Sequence, residues 1–192
     1  LALIFKGVYS DSGKGKEKRK IDEPVETREI QTPVVARTDV SEPETKSPDE
    51  QFCLALNVYH ESRSDNFSGR LAVADVVLNR VESKYFPNNI CDVVYQGEKK
   101  PSWKDPNKMV MVRNRCQFSW YCDGKSDEVS KEHDDNLNAW RRALRSSLQV
   151  MSGSADDLVG GALWYHADYV NPKWTKDMIE TTTIGQHIFY KK

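Results

Sequence analysis

The sequence predicts an α+β fold, mostly helical, in which one compact domain over residues 47–192 follows a charged tail over residues 1–46. Three observations predict it. Apolar residues recur at helical spacing in three separate stretches. Short runs of β-branched and aromatic residues close the chain and predict a small β element near the C-terminus. Residues 1–46 hold almost no aromatics after Tyr9 and alternate charges around Pro24, Pro33 and Pro43, so they cannot bury enough apolar area to offset the entropy of ordering.

The tail begins LALIF, which reads either as the end of a signal or anchor segment or as ordinary tail sequence. Its basic cluster KGKEKRK at 14–20 reads as a solvated run. The domain opens at SPDE, where Ser47 is placed to cap a helix, Pro48 suits its first position and Glu50 can complete a capping box. Phe52, Leu54, Ala55, Leu56, Val58 and Tyr59 then cover most of the helix circumference to about Arg63, which predicts a central helix. A second helix starts near Ser68 and carries Leu71, Ala72, Val76, Leu78 and Val81. Its β-branched content suits only a buried helix. Pro87, Asn88 and Asn89 break the chain, Cys91–Tyr95 is a short apolar piece, and residues 97–126 read mostly as loop. Asp134 or Asp135 is expected to cap a third helix carrying Leu137, Trp140, Leu144, Leu148 and Met151, with Gly153 as its stop. GGALWYH and TTTIGQHIFY read as two small strands.

Composition narrows the function classes. The formal net charge is -1, so no global basic field calls for nucleic acid. No stretch approaches the ~18 consecutive apolar residues that would cross a bilayer. Hydrophobic residues make up 38% and charged residues 30%, which fits a folded domain diluted by its tail. Of the cysteines, Cys116 and Cys122 bracket CQFSWYC, a loop that a disulfide could close. Cys53 and Cys91 would then pair across the fold. Two such bonds would place the protein in an oxidising, extracytoplasmic compartment, whereas four free thiols are the alternative.

The stretch NVYHESR, residues 57–63, offers two chemistries. A zinc site on a helix needs a second His one turn after His60, and Ser64 stands there. His133, His166 and His187 are isolated, so no metal is expected. Glu61, near the end of an apolar helix, can instead enter a partly desolvated cleft, where a carboxyl keeps its proton and can act as an acid. The plain alternative pairs it with Arg63 or Arg80 at the surface. A thiol mechanism would use Cys53 or Cys116 with His166 or His187, and disulfide pairing would remove it. Trp103, Phe118, Trp120, Tyr121, Trp164, Tyr165 and Trp174 are many aromatics for one domain, and those near Gln117 and His166 are of the type that stacks on sugar rings.

The ordered set CLALNVYHESR, SGRLAVADVVLNRVES, FPNNICDVVYQG, CQFSWYCDG, GALWYHA with NPKW, and IGQHIFY resembles the catalytic domain of SleB-type cell-wall hydrolases, the spore-cortex-lytic enzyme family, over residues from about 50 to 190. The resemblance implies a lysozyme-like fold acting on peptidoglycan glycan strands; no cofactor is expected, and a monomer is. It implies that Glu61 is the catalytic acid of a lytic transglycosylase, which cleaves between N-acetylmuramic acid and N-acetylglucosamine and closes a 1,6-anhydro ring. Gln117, Phe118, Tyr165, His166, His187 and Tyr190 match motif positions expected in or beside the cleft, and Asn79 and Arg80 match positions expected to fix the interior. A hydrolytic muramidase would need a second carboxylate such as Asp65 or Asp123. A non-catalytic peptidoglycan-binding module is a further reading. His60 and Ser62 depart from the residues usual beside the acid, and Gly97–Asn114 is a lysine-rich insertion. A membrane tether ahead of residue 1 and a bacterial or a phage source, the latter as an endolysin, are both compatible with the sequence.

Overall fold

The computed structural model describes residues 48–130 and 132–192. The tail over 1–46, with its LALIF start and basic cluster, and the Ser47 cap lie outside the described residues. Four helices and five strands follow in the order α1 (Pro48–Ser62), α2 (Phe67–Glu82), α3 (Ile90–Val94), β1 (Gly97–Pro101), β2 (Met109–Cys116), α4 (Asp134–Met151), β3 (Trp164–Ala167), β4 (Ile179–Ile184) and β5 (His187–Lys191). Single helical turns at Ser119–Cys122 and Lys173–Asp177 complete it.

Helix α1 is central, as its near-continuous apolar surface predicts, and it packs against α2, α3 and α4. Leu54, Ala55 and Val58 are fully buried in it, and each such Leu or Val contributes roughly 1.5–3 kcal/mol of transfer free energy. Cys53 of α1 is bonded to Cys91 of α3, and the Ile90 amide of α3 donates to the Glu50 carboxylate at 3.1 Å. Helix α2 starts at Phe67 because Asn66 caps it, its side chain accepting from the Gly69 amide at 2.8 Å. Ala72 and Val76 on α2 meet Phe189 of β5, Val159 and Ala162 in a second small core.

Four expectations are corrected. Residues 97–126 are not mostly loop: β1 and β2 form an antiparallel hairpin with Lys99 opposite Met111 and Pro101 opposite Met109. Its strands face solvent over much of both sides, so no alternating apolar pattern announces them. Gly97 is required there, because a Cβ would lie 2.5 Å from the Met111 methyl and 2.8 Å from the Cys116 sulfur. Helix α4 buries a stripe of small residues, Ala139, Ala143, Ser146, Ser147 and Val150, whereas Leu148 is 56% exposed. Small side chains allow α4 to approach α1 and α2 closely. Asp134 and Asp135 do not cap α4; they occupy its first turn, where a negative charge suits the helix dipole. The C-terminal β element has three strands rather than two, in the antiparallel order β3-β5-β4, because TTTIGQHIFY turns at Gly185, whose φ is +62°, into a hairpin.

Candidate active site

Glu61 lies in the last turn of α1, where a helix apolar on nearly every side delivers one carboxyl to the edge of the core. A pocket of about 170 Å³ opens around it, lined by Glu61, Arg80, Cys116, Gln117, Phe118, Ser119 and Tyr165. Four elements build this wall. Helix α1 brings the acid, α2 brings Arg80, β3 brings Tyr165, and the segment after β2 brings Gln117 to Ser119.

Most of this wall is held by named partners. Tyr165 donates from its hydroxyl to Glu61 Oε2 at 3.0 Å. Arg80 is buried; its Nε donates to the Leu163 carbonyl at 2.8 Å, and its guanidinium sits between the Phe86 and Phe118 rings, 4.9 and 5.0 Å from their centroids. Arg80 Nη1 is buried without a hydrogen-bond acceptor among the described residues. The Gln117 backbone N–H donates to the Gln96 backbone carbonyl at 2.9 Å. The Cys116–Cys122 disulfide closes the loop that carries Gln117, Phe118 and Ser119, and Trp120 pins that loop to α1 by donating from Nε1 to Asn57 Oδ1 at 3.0 Å.

The electrostatics follow from this burial. Desolvation raises the Glu61 carboxyl above its ordinary range, while the Tyr165 hydroxyl and the Arg80 charge pull it part of the way back. Burial, with the Glu61 charge beside it, pushes the Tyr165 phenol well above its usual value, so it stays a donor. The plain alternative of a surface pair does not hold, since Arg80 is an interior residue and Arg63 bonds the Tyr59 hydroxyl at 3.4 Å.

Strand geometry sorts the other candidates. Adjacent residues of a strand point to opposite faces. Tyr165 and Phe189 face each other across β3 and β5, and with His187 they lie on the side of the sheet turned toward Glu61 and α2. His166 and Tyr190 lie on the other side, stacked at 5.2 Å, with Trp174 edge-on to both. His166 Nδ1 donates to the Ala167 carbonyl at 2.8 Å, and its Nε2 is hydrogen-bonded with the Tyr190 hydroxyl at 3.0 Å. Glu61, Gln117, Phe118 and Tyr165 thus share one pocket, and His166, His187 and Tyr190 are not among its lining residues.

The second-carboxylate candidates are placed elsewhere. Asp65 is buried and bound to His187 Nδ1 at 3.2 Å, and burial lowers the His187 imidazole against the pull of Asp65. Asp123 lines a different pocket. Glu61 is the one carboxylate that lines its pocket among the described residues. His60 turns away from it: the imidazole stacks on Trp120 at 4.5 Å and 15°, and Nε2 donates to the Asp127 carbonyl at 3.1 Å. Burial lowers its basicity, opposed chiefly by Asp127. All four cysteines are paired, which leaves no thiol nucleophile. Among the described residues no cluster of His, Cys, Asp and Glu could hold a metal.

Sequence reasoning missed Asn57, the role of Arg80 in the pocket, and Ser119. All three stand in the quoted motifs, and Arg80 was expected in the interior, but nothing along the chain marked their places at the pocket. An interior arginine between two aromatic rings leaves no pattern along the chain.

Residues 64–190 match the family described as Cell Wall Hydrolase; the matched span contains Arg80, Gln117, Phe118 and Tyr165 and begins just after Glu61. A spore cortex-lytic enzyme of Bacillus cereus is 29% identical over 139 residues, covering 72% of this chain and 42% of that protein. One of Halalkalibacterium halodurans is 28% identical over 137 residues, covering 71% of this chain and 33% of that protein. The chain thus spans less than half the length of these curated relatives. The solved catalytic domain of the Bacillus cereus SleB protein superposes with a TM-score of 0.55 at 29% identity, over 78% of this chain and 94% of that one. The catalytic domain of the germination-specific lytic transglycosylase SleB from Bacillus anthracis gives 0.56 at 28% identity, over 78% and 100%. The fold is accordingly the lysozyme-like α+β arrangement of those domains. By the match over residues 64–190, this chain belongs to the cell wall hydrolase family.

Proposed function

We propose that residues 47–192 form a catalytic domain that cleaves peptidoglycan glycan strands between N-acetylmuramic acid and N-acetylglucosamine as a lytic transglycosylase, with Glu61 as acid and then base. The observation that carries this reading is the one carboxylate that lines the pocket among the described residues, largely buried and raised by that burial, with the Tyr165 hydroxyl bonded to it.

The chemistry needs no second acid. Protonated Glu61 gives its proton to the glycosidic oxygen as the bond from the muramyl C1 breaks, and the leaving sugar departs as an alcohol. The Glu61 carboxylate then takes the proton of the muramyl 6-hydroxyl as that oxygen bonds to C1, which closes the 1,6-anhydro ring and returns the acid. The charge that appears on Glu61 between the two steps is the form that Tyr165 and Arg80 favour. Burial and these two partners thus act on opposite halves of the cycle.

A hydrolytic muramidase would need a second carboxylate to activate water across the bond. Asp65, tied to His187, and Asp123, in another pocket, do not supply one. Peptidoglycan as substrate and action outside the cytoplasm are supported by the spore cortex-lytic relatives and by the two disulfides. Mass spectrometry of the fragments released from purified sacculi tests the reaction: anhydro ends, one water lighter than reducing ends, are expected. Reducing ends would establish hydrolysis, and binding without release would establish a non-catalytic module.

A further inference from the structure

A second and larger pocket, of about 690 Å³, is built on the same two segments as the Glu61 pocket but on their other side: His60 stands directly before Glu61 along α1, and Trp120 follows Ser119 along the loop. A volume of that size suits a ligand of several heavy groups. Its floor is aromatic, made by Tyr59 and by the His60 ring stacked on Trp120. His60 is held in place by the Asp127 carbonyl, and burial lowers its basicity in that stack.

The rim carries both signs of charge. Arg63 and Lys125 are cationic, whereas Asp123, Glu128 and Glu132 are anionic. Among the described residues, the ion pair recorded for these groups is Lys125 to Asp123, at a loose 3.8 Å with the lysine 85% exposed. A neutral sugar ring can bond such a rim through its hydroxyls but leaves both signs of charge unmatched. A short peptide with a side-chain ammonium and free carboxylates meets both signs at once, and such a peptide hangs from the lactyl group of the muramyl sugar. A muramyl residue held at Glu61 must send that peptide out close by.

We infer that the pocket lined by His60, Trp120, Arg63, Lys125 and Glu128 binds the stem peptide of the substrate strand, so that the chain favours glycan that still carries stems over denuded glycan. The inference deepens the proposed function and rests on its choice of substrate. Its test is a binding measurement with the Glu61→Gln chain, which leaves fragments uncut. The probes are glycan fragments from one sacculus preparation, either carrying stems or stripped of them by an amidase. Stem-bearing fragments are expected to bind about tenfold more tightly, which corresponds to about 1.4 kcal/mol. An added Arg63→Ala/Glu128→Ala pair, at exposed positions, is expected to erase that preference while leaving the affinity for stripped fragments unchanged. Equal binding of both probes, or a preference that survives the pair of substitutions, overturns the inference. Cleavage by the unsubstituted chain is scored separately. A chain that prefers stems through Arg63 and Glu128 but cuts neither probe retains the peptide site and loses the catalytic reading.

Discussion

The two disulfides are expected to do different jobs, and removing them one at a time separates the fold from the site. Cys53–Cys91 ties α1 to α3 across a separation of 38 residues, far from the pocket lining, whereas Cys116–Cys122 spans 6 residues and Cys116 is itself a wall of the Glu61 pocket. Loop-closure entropy of the unfolded chain gives about 3.9 kcal/mol for the longer loop and about 2.2 kcal/mol for the shorter one. The Cys53→Ala/Cys91→Ala pair is thus predicted to lose about twice as much stability in urea unfolding as the Cys116→Ala/Cys122→Ala pair. Activity on sacculi, measured well below both transitions, should rank the other way. Loss of Cys116–Cys122 frees the loop that positions Gln117, Phe118 and Ser119, while loss of Cys53–Cys91 leaves the pocket wall in place. If the first pair cost the activity and the second left it intact, the assignment of the CQFSWYC loop to the site would be refuted.

Two further outcomes follow from the charges. Tyr165→Phe removes a hydrogen bond worth roughly 1.5–3 kcal/mol to the carboxylate form of Glu61. Burial then acts with less opposition, Glu61 holds its proton to higher pH, and the basic limb of the pH profile for sacculus lysis moves upward; an unmoved or lowered limb would show that this bond does not set the acid. Asp75, buried on α2 and bonded to the Leu158 amide at 3.0 Å, is pushed up to about 6 by burial and by nearby Asp157. A carboxyl raised above its unfolded value of 3.8 favours the folded state when protonated, so stability is expected to climb as pH falls from above 6 toward 4. Asp75→Asn keeps an acceptor for Leu158 and should flatten this climb while stabilising the chain above pH 6 by on the order of 1–3 kcal/mol. Equal slopes in thermal unfolding of the two proteins between pH 4 and 7 would count against it.

What was legible in the sequence was whatever burial writes as a period. Helices α1 and α2 show broad apolar faces, and both formed close to their expected bounds. The β1-β2 hairpin wrote nothing, because GEKKP and MVMVRNRC face water on much of both sides. Leu148 misled for the opposite reason: α4 makes its contact with Ala and Ser, and the larger residue was left outside. Tyr165 and His166, adjacent in one motif, went to opposite faces of the sheet. That outcome was available from the strand period alone once WYHA was read as a strand. By contrast, the bond from Trp120 to Asn57 and the seat of Arg80 between Phe86 and Phe118 are tertiary facts. Glu61 stood between the two cases, since its helix could be read but its desolvation needed the loop and β3 closing over it.

The most direct measurement is lysis of purified sacculi by Glu61→Gln beside the unsubstituted chain, with thermal unfolding of both. Gln keeps the shape and an acceptor for the Tyr165 hydroxyl but cannot give or take the proton, so activity is predicted to fall by about 10²–10⁴-fold. The raised carboxyl costs stability when ionised, so the Gln variant should unfold at an equal or higher temperature at neutral pH. Lysis within tenfold of the unsubstituted rate by a folded Glu61→Gln chain would contradict the account.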